Sequence, residues 1–184
     1  MKLKYLYILF IFSALTLDAQ TLRAQEKSVV LPENETKEEP GFFEDYFKGY
    51  YSQVFGMDVT SIINLSLYSS IEKWIGTPYR YAGKSLSGID CSAFVNKIYE
   101  STYCMFLQGN SAEMYKNVKH LPKDELTEGD LVFFKIRNNK ISHIGIYLGQ
   151  NKFVHSSTQN GVIVSDLDNP YYVKYFFKAG RIKS

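Results

Sequence analysis

From Asp130 onward the chain switches to a hydrophobic period of two, and that switch constrains the fold more than any other feature. "DLVFFKI", "ISHIGIYLG", "KFVHSS" and "GVIVSDL" are short β runs separated by the turns "RNNK", "GQNK" and "TQNG". A last run, "YFFKAGRI", is placed to close the sheet. Connections this short give an antiparallel meander.

Upstream the pattern is helical. "GFFEDYFKGYYSQVFGM" carries aromatics at 42, 43, 46, 47, 50, 51 and 55, one face of a helix that packs on the domain or docks on a membrane or partner. Residues 61–75 give a second helix, with Ile62, Leu65, Ile71 and Ile75 as its apolar positions and "GTP" as its stop. "YRYAGKSLSG" reads as a loop. A third helix starts at Asp90, whose carboxylate caps it, and turns Phe94, Val95, Ile98 and Tyr99 inward. A fourth begins at "NSAE", where Asn110 and Glu113 have the capping-box spacing. Helices followed by strands define an α+β fold, with N-terminal helices packed on an antiparallel sheet of about five to six strands.

The 184 residues suit one core, and 16% aromatics favour a β-containing fold with aromatic-lined surfaces. A net charge of +2 without a basic stripe argues against nucleic acid as a partner. At the N-terminus, "MKLK" is a basic start and "YLYILFIFSALTL" an apolar run shorter than the ~20 residues of a spanning helix. Residues 1–24 are therefore expected to be an export signal, cleaved after Ala19 or Ala24, with an uncleaved anchor as the alternative. Residues 25–40, ending in "LPENETKEEP", read as a flexible linker. The mature chain is expected in the periplasm, the cell envelope or outside the cell, as a monomer with no stable membrane anchor.

Export sharpens the question posed by two cysteines, Cys91 and Cys104. On one helix they would stand ~20 Å apart, beyond the ~7 Å limit for a bridge, so both are expected as free thiols. Cys91 falls in the first turn of the third helix, where unpaired N–H groups lower a thiol pKa. It is then expected to react as a thiolate below the ~8.5 of a free cysteine.

A partner histidine has three candidates. His120, in "NVKHLPKD", is read as the solvent-facing end of a helix and set aside. In "ISHIGIYL", alternation puts Ile144, Ile146 and Leu148 on one face and His143, Gly145 and Tyr147 on the other. A histidine followed by glycine suits a place where another backbone or a substrate comes close. His155 lies one strand on. The two imidazoles share a face only if residues paired across the hairpin have an even sum. A simple two-residue turn at Gln150-Asn151 breaks that parity, so a three-residue connection or a bulge is required. With the fold bringing them together, Cys91 would attack a carbonyl carbon, His143 would act as base and then acid, and His155 would orient the His143 ring. The Cys91 N–H, with a side-chain donor, would hold the oxyanion. A core cysteine with structural histidines remains an equal reading of the spacing alone. A zinc site lacks any close CxxC or HxxxH pairing, and no metal or cofactor is expected.

Four motifs in order, "GTPYRYAG", "GIDCSAFV", "EGDLVFF" and "SHIGIYLG…FVHSS", make the chain resemble the NlpC-type cell-wall cysteine peptidases from about residue 64 to the C-terminus. The resemblance implies a papain-like fold over 61–184, with 41–60 as an aromatic helical extension. It implies Cys91, His143 and His155 as a catalytic triad, Tyr79 as a hydroxyl near the thiol and oxyanion, and Asp90 and Ser92 as walls of the substrate cleft. The substrate class it implies is the stem peptide of peptidoglycan, cut at the γ-D-glutamyl–diamino acid amide. A D,D cross-link, a non-catalytic wall-binding role, and an acyltransferase or amidase of the same fold are the alternatives. Two departures stand out: Ala93 replaces the family's glycine after Asp-Cys-Ser, and Leu107-Gln108-Gly109 stands where Leu-Pro-Arg is common.

Overall fold

In a computed structural model of the chain, residues 41–60 and 64–183 are described. The expected export signal, the linker and Ile62 lie outside the described residues. The elements run α1 (Phe42–Phe55), α2 (Leu65–Glu72), β1 (Lys84–Ser85), β2 (Gly88–Ile89), α3 (Cys91–Tyr103), α4 (Ser111–Lys116) and β3 (Val118–Leu121). After a short 3-10 turn come β4 (Leu131–Phe134), β5 (His143–Gly149), β6 (Lys152–Ser157), β7 (Gly161–Asp166), α5 (Pro170–Tyr175) and β8 (Phe176–Ile182). Six strands pair antiparallel in the order β3-β8-β4-β5-β6-β7. The α+β reading and the strand number both hold, and β8 closes the sheet between β3 and β4.

The pleat divides the sheet's side chains. Leu131, Phe133, Ile144, Ile146, Val154 and Val162 are buried on one side with Leu67, Tyr68 and Ile71 of α2 and Phe94, Val95 and Ile98 of α3. The other face collects Val132, Phe134, Tyr147 and Phe153, with Tyr172 and Tyr175 of α5 packed against them. Asp130, at the entry to β4, is clamped by Arg181 of β8, whose Nε and terminal nitrogen each donate to the carboxylate at 2.7 Å. That bidentate geometry joins the sheet's centre to the C-terminal strand.

Local signals explain most boundaries. Asp90 caps α3 by accepting from the Ala93 N–H at 2.8 Å, and the Asn110–Glu113 capping box is complete in both directions. Four expectations are corrected. Residues around His120 form β3 rather than a helix end, and the exposed His120 ring stacks on Tyr115 with centroids 4.1 Å apart. "YRYAGKSLSG" contains the short β1–β2 pair. In α2 the buried edge is Leu67, Tyr68 and Ile71, while Leu65 is 40% exposed. Tyr68 draws that edge inward, because its ring packs on Tyr51 and Phe55 and its hydroxyl reaches Glu128 and the Leu148 carbonyl. Finally, only the C-terminal half of the α1 aromatic face is covered. Tyr51 and Phe55 are buried, whereas Phe42, Phe43, Tyr46 and Tyr50 are exposed. Eight residues of α2 span ~12 Å and fall short of the ~21 Å of the 14-residue α1.

Candidate active site

The site is assembled by three backbone devices. First, the segment after α2 is laid along β7: the Gly76 N–H donates to the Val162 carbonyl and the Val162 N–H to the Thr77 carbonyl. Gly161 permits this contact, because its φ is +70° and a Cβ there would stand 2.3 Å from the Thr77 oxygen. The same segment then pairs with the chain just before Cys91, through Ile89 N–H to the Pro78 carbonyl and Arg80 N–H to the Ile89 carbonyl. Tyr79 is thereby held beside Asp90 and Cys91.

Second, the buried Ser156 hydroxyl donates to the Ile89 carbonyl at 2.8 Å. One residue from His155, it ties the histidine strand to the turn that launches α3.

Third, β5 and β6 meet through Gln150 and Asn151, both at left-handed φ, with the register shifting between Tyr147 and Gly149. Beyond that bulge Tyr147 faces Phe153 and Ile146 faces Val154, so the pairing sum is even and both imidazoles share a face. Gly145 stands across from His155. A Cβ on it would lie 2.7 Å from the Phe153 ring, 2.8 Å from the Val154 carbonyl oxygen and 3.2 Å from His155 Cβ. The close approach expected at Gly145 is that of the neighbouring strand.

The result is a line of polar groups. The Ile144 N–H points at the Cys91 sulfur, which puts the thiol at the start of β5 next to His143. His143 Nε2 lies 2.7 Å from His155 Nδ1, and His155 Nε2 lies 2.9 Å from Ser165 Oγ and 3.1 Å from the Tyr172 hydroxyl. One tautomer serves the chemistry: His143 donates from Nε2 to His155 Nδ1, His155 donates from Nε2 to Ser165, and His143 Nδ1 keeps a lone pair.

Burial sets the charges. His143 is 6% exposed and is lowered from 6.5 to about 4 by burial, and His155 is pushed well below its ordinary value by burial and by His143 beside it. Cys91, 8% exposed, is pushed up to about 11 by burial and then by Asp90, against the pull of the Ile144, Ser92 and Cys91 N–H groups. The expectation of a low-pKa thiolate is therefore corrected. The helix terminus acts as foreseen, but desolvation outweighs it. Tyr79 is half-buried and raised first by burial and then by Cys91 and Asp90.

Asp90 and Ser92 are engaged with each other. The Ser92 hydroxyl donates to Asp90 Oδ1 at 2.9 Å, on the same oxygen that caps α3. Both cysteines are free, Cys91 buried and Cys104 exposed. Beside the histidines a cavity of about 650 Å³ opens between the β4–β5 hairpin, the β6–β7 turn and α5, with Tyr79, His143, His155, Ser165 and Tyr172 on its walls. Ser165, Tyr172 and the Arg137 on its rim escaped the sequence reading. Alternation in "GVIVSD" carried the signal for Ser165: Phe153 pairs with Ser165 and His155 with Ile163, so all four share a face.

A papain-like α+β domain with a cysteine at a helix start and a hydrogen-bonded histidine pair on the neighbouring strands defines a class of thiol hydrolase scaffold. The chain belongs to the NlpC/P60 family, whose model matches residues 76–181. It is 38% identical over 140 residues to a probable endopeptidase of Haemophilus influenzae, covering 76% of this chain and 85% of that protein. It is 38% identical over 111 residues to the Escherichia coli protein named murein DD-endopeptidase MepS/murein LD-carboxypeptidase, covering 60% and 58%. Among solved structures, an NlpC/P60 family protein of Bacillus cereus superposes with a TM-score of 0.59 at 28% identity, over 66% of this chain and 41% of that one.

Proposed function

We propose that this protein is an exported cysteine endopeptidase that hydrolyses amide bonds in peptidoglycan stem peptides. The observation that carries the reading is the His143–His155 hydrogen bond of 2.7 Å, at the start of the strand whose Ile144 N–H faces the Cys91 thiol. Family membership and the names of the relatives point the same way.

Thiol and imidazole are both neutral at rest, so proton transfer accompanies attack. Cys91 Sγ bonds to the carbonyl carbon while its proton moves to His143 Nδ1. The carbonyl oxygen gains the charge and is met by the Cys91 N–H and the Tyr79 hydroxyl. The C–N bond then breaks, the amine leaves with the proton from His143, and a thioester remains. Water, deprotonated by His143, attacks that thioester and returns the thiol. His155 stabilises the transient His143 imidazolium, while Asp90 and Ser92, bonded to each other, hold the start of α3 on which Cys91 sits.

The bond cut is the γ-D-glutamyl–diamino acid amide. The D,D cross-link is the second reading, favoured by the DD-endopeptidase name of the E. coli relative. Among the described residues no helix is long and apolar enough to cross a membrane. Incubating the mature chain with defined muropeptides and weighing the products tests both readings. Cleavage abolished by Cys91→Ala supports the peptidase. Intact peptides throughout, with Cys91→Ala indistinguishable from the parent, would sink it.

A further inference from the structure

The cleft beside the histidines has an unbalanced charge. Its walls mix hydroxyl and amide groups with tyrosine rings, Ile136 and Ile163, no Asp or Glu lines it, and both histidines are held neutral by burial. Arg137 is the one lining residue with a permanent charge. Its guanidinium has no ion pair or hydrogen bond among the described residues, in contrast to Arg181, which is clamped on Asp130.

The hairpin that carries Arg137 is built to hold it at the rim. Arg137 bridges Lys140 across Asn138 and Asn139, both at left-handed φ, the backbone of a tight hairpin turn. The Arg137 N–H donates to Ser142 Oγ at 3.1 Å, which fastens the turn to the residue before His143. Arg137 lines the same cavity as Tyr79 and His143, so its guanidinium faces the space in which those side chains meet a peptide.

An uncompensated guanidinium at the wall of a cleft without acidic groups is a fork for a carboxylate. A γ-linked glutamate keeps its α-carboxylate free, next to the amide that is cut, and a diamino acid can carry a further carboxylate on the other side. We propose that Arg137 is a specificity residue that binds a free carboxylate of the stem peptide, so that the enzyme selects acidic over amidated peptides. The proposal rests on the peptidase reading above and deepens it.

The test uses three muropeptides: one with all carboxylates free, one amidated at the glutamate α-carboxylate, and one amidated at the diamino acid. The parent is expected to cut one amidated peptide about 10-fold more slowly in kcat/KM than the acid form, and which one identifies the carboxylate bound. Arg137→Gln should lose that discrimination, cutting the acid form about 10-fold more slowly with the amidated form unchanged, while Arg137→Lys retains part of it. Discrimination that survives in Arg137→Gln, or a parent that cuts all three equally, overturns the proposal. Calorimetric binding of the same peptides to Cys91→Ala separates the two claims. Carboxylate-dependent binding lost in Cys91→Ala/Arg137→Gln upholds the Arg137 site even if no bond is cut. Cleavage with no dependence on Arg137 leaves the peptidase and removes this site.

Discussion

The two faces of the β5–β6–β7 region are made from the same strands and differ in what they demand. The face toward α2 and α3 is filled by Ile144, Ile146, Val154 and Val162, and any tight set of aliphatic side chains would serve there. The opposite face carries His143, Gly145, His155 and Ser165, where the imidazole nitrogens are held by particular polar partners. Alternation lets a strand be core and site at once: neighbours such as His143 and Ile144 answer to different physics. One face fixes stability, and the other fixes proton positions.

The largest effect should come from splitting those neighbours. His143→Gln keeps the volume but removes the base, so kcat/KM on muropeptides should fall by about 10³-fold or more with little change in the urea midpoint. Ile144→Ala keeps the N–H that faces Cys91 but empties a fully buried site, and should cost about 2–5 kcal/mol in urea unfolding while activity per folded molecule persists. If the two variants lose stability equally, the division between faces is wrong.

Acid should reveal the same division. His143 titrates at about 4 when folded and near 6.5 when unfolded, so the unfolded chain binds more protons between those values. Stability should therefore fall by a few kcal/mol as pH drops from 6.5 toward 4, while the acid limb of kcat/KM appears near 4 rather than 6.5. Cys91, raised to about 11, should alkylate ever faster into the alkaline range. A rate that levels off below pH 8 would show a thiolate at rest.

Gly145 sits on the functional face but does a packing job, which makes it the place where the comparison can break. Gly145→Ala drives a Cβ into the Phe153 ring and the Val154 carbonyl, so about 1–3 kcal/mol should be lost on urea unfolding. Activity per folded molecule should drop as well, because His155 must shift. Loss of stability with full activity would mean that the His143–His155 pair tolerates displacement.

How much of this was legible follows from range. The pleat of β5, the Asp90 cap, the capping box at Asn110 and the parity argument that required a bulge are local, and each appears as read. Cys91, His143 and His155 were singled out through residue type and motif order, and the structure sets the two histidines 2.7 Å apart. What escaped depends on partners distant in sequence. Tyr68 rotates α2 because α1 and Glu128 are there to receive it, and β3 forms because β8 arrives some sixty residues later. The thiol's pKa was misjudged because helix ends are readable in sequence and the depth of burial is not. Arg137 was hidden in a turn that looked like solvent-facing punctuation.

The smallest effect belongs to the far end of the proton line. In the tautomer that serves the chemistry, Ser165 accepts from His155 Nε2 and leaves the Nδ1 lone pair to receive His143. It touches no reacting atom and acts only through His155, with Tyr172 at 3.1 Å as a partial substitute. One such hydrogen bond is worth about 0.5–1.5 kcal/mol, so Ser165→Ala should lower kcat by up to about 10-fold with KM unchanged. Ser165→Thr, which restores the hydroxyl on the same face, should recover the rate. A purely structural serine would instead leave kcat intact in the alanine variant and lower the urea midpoint, because no proton position would depend on its oxygen.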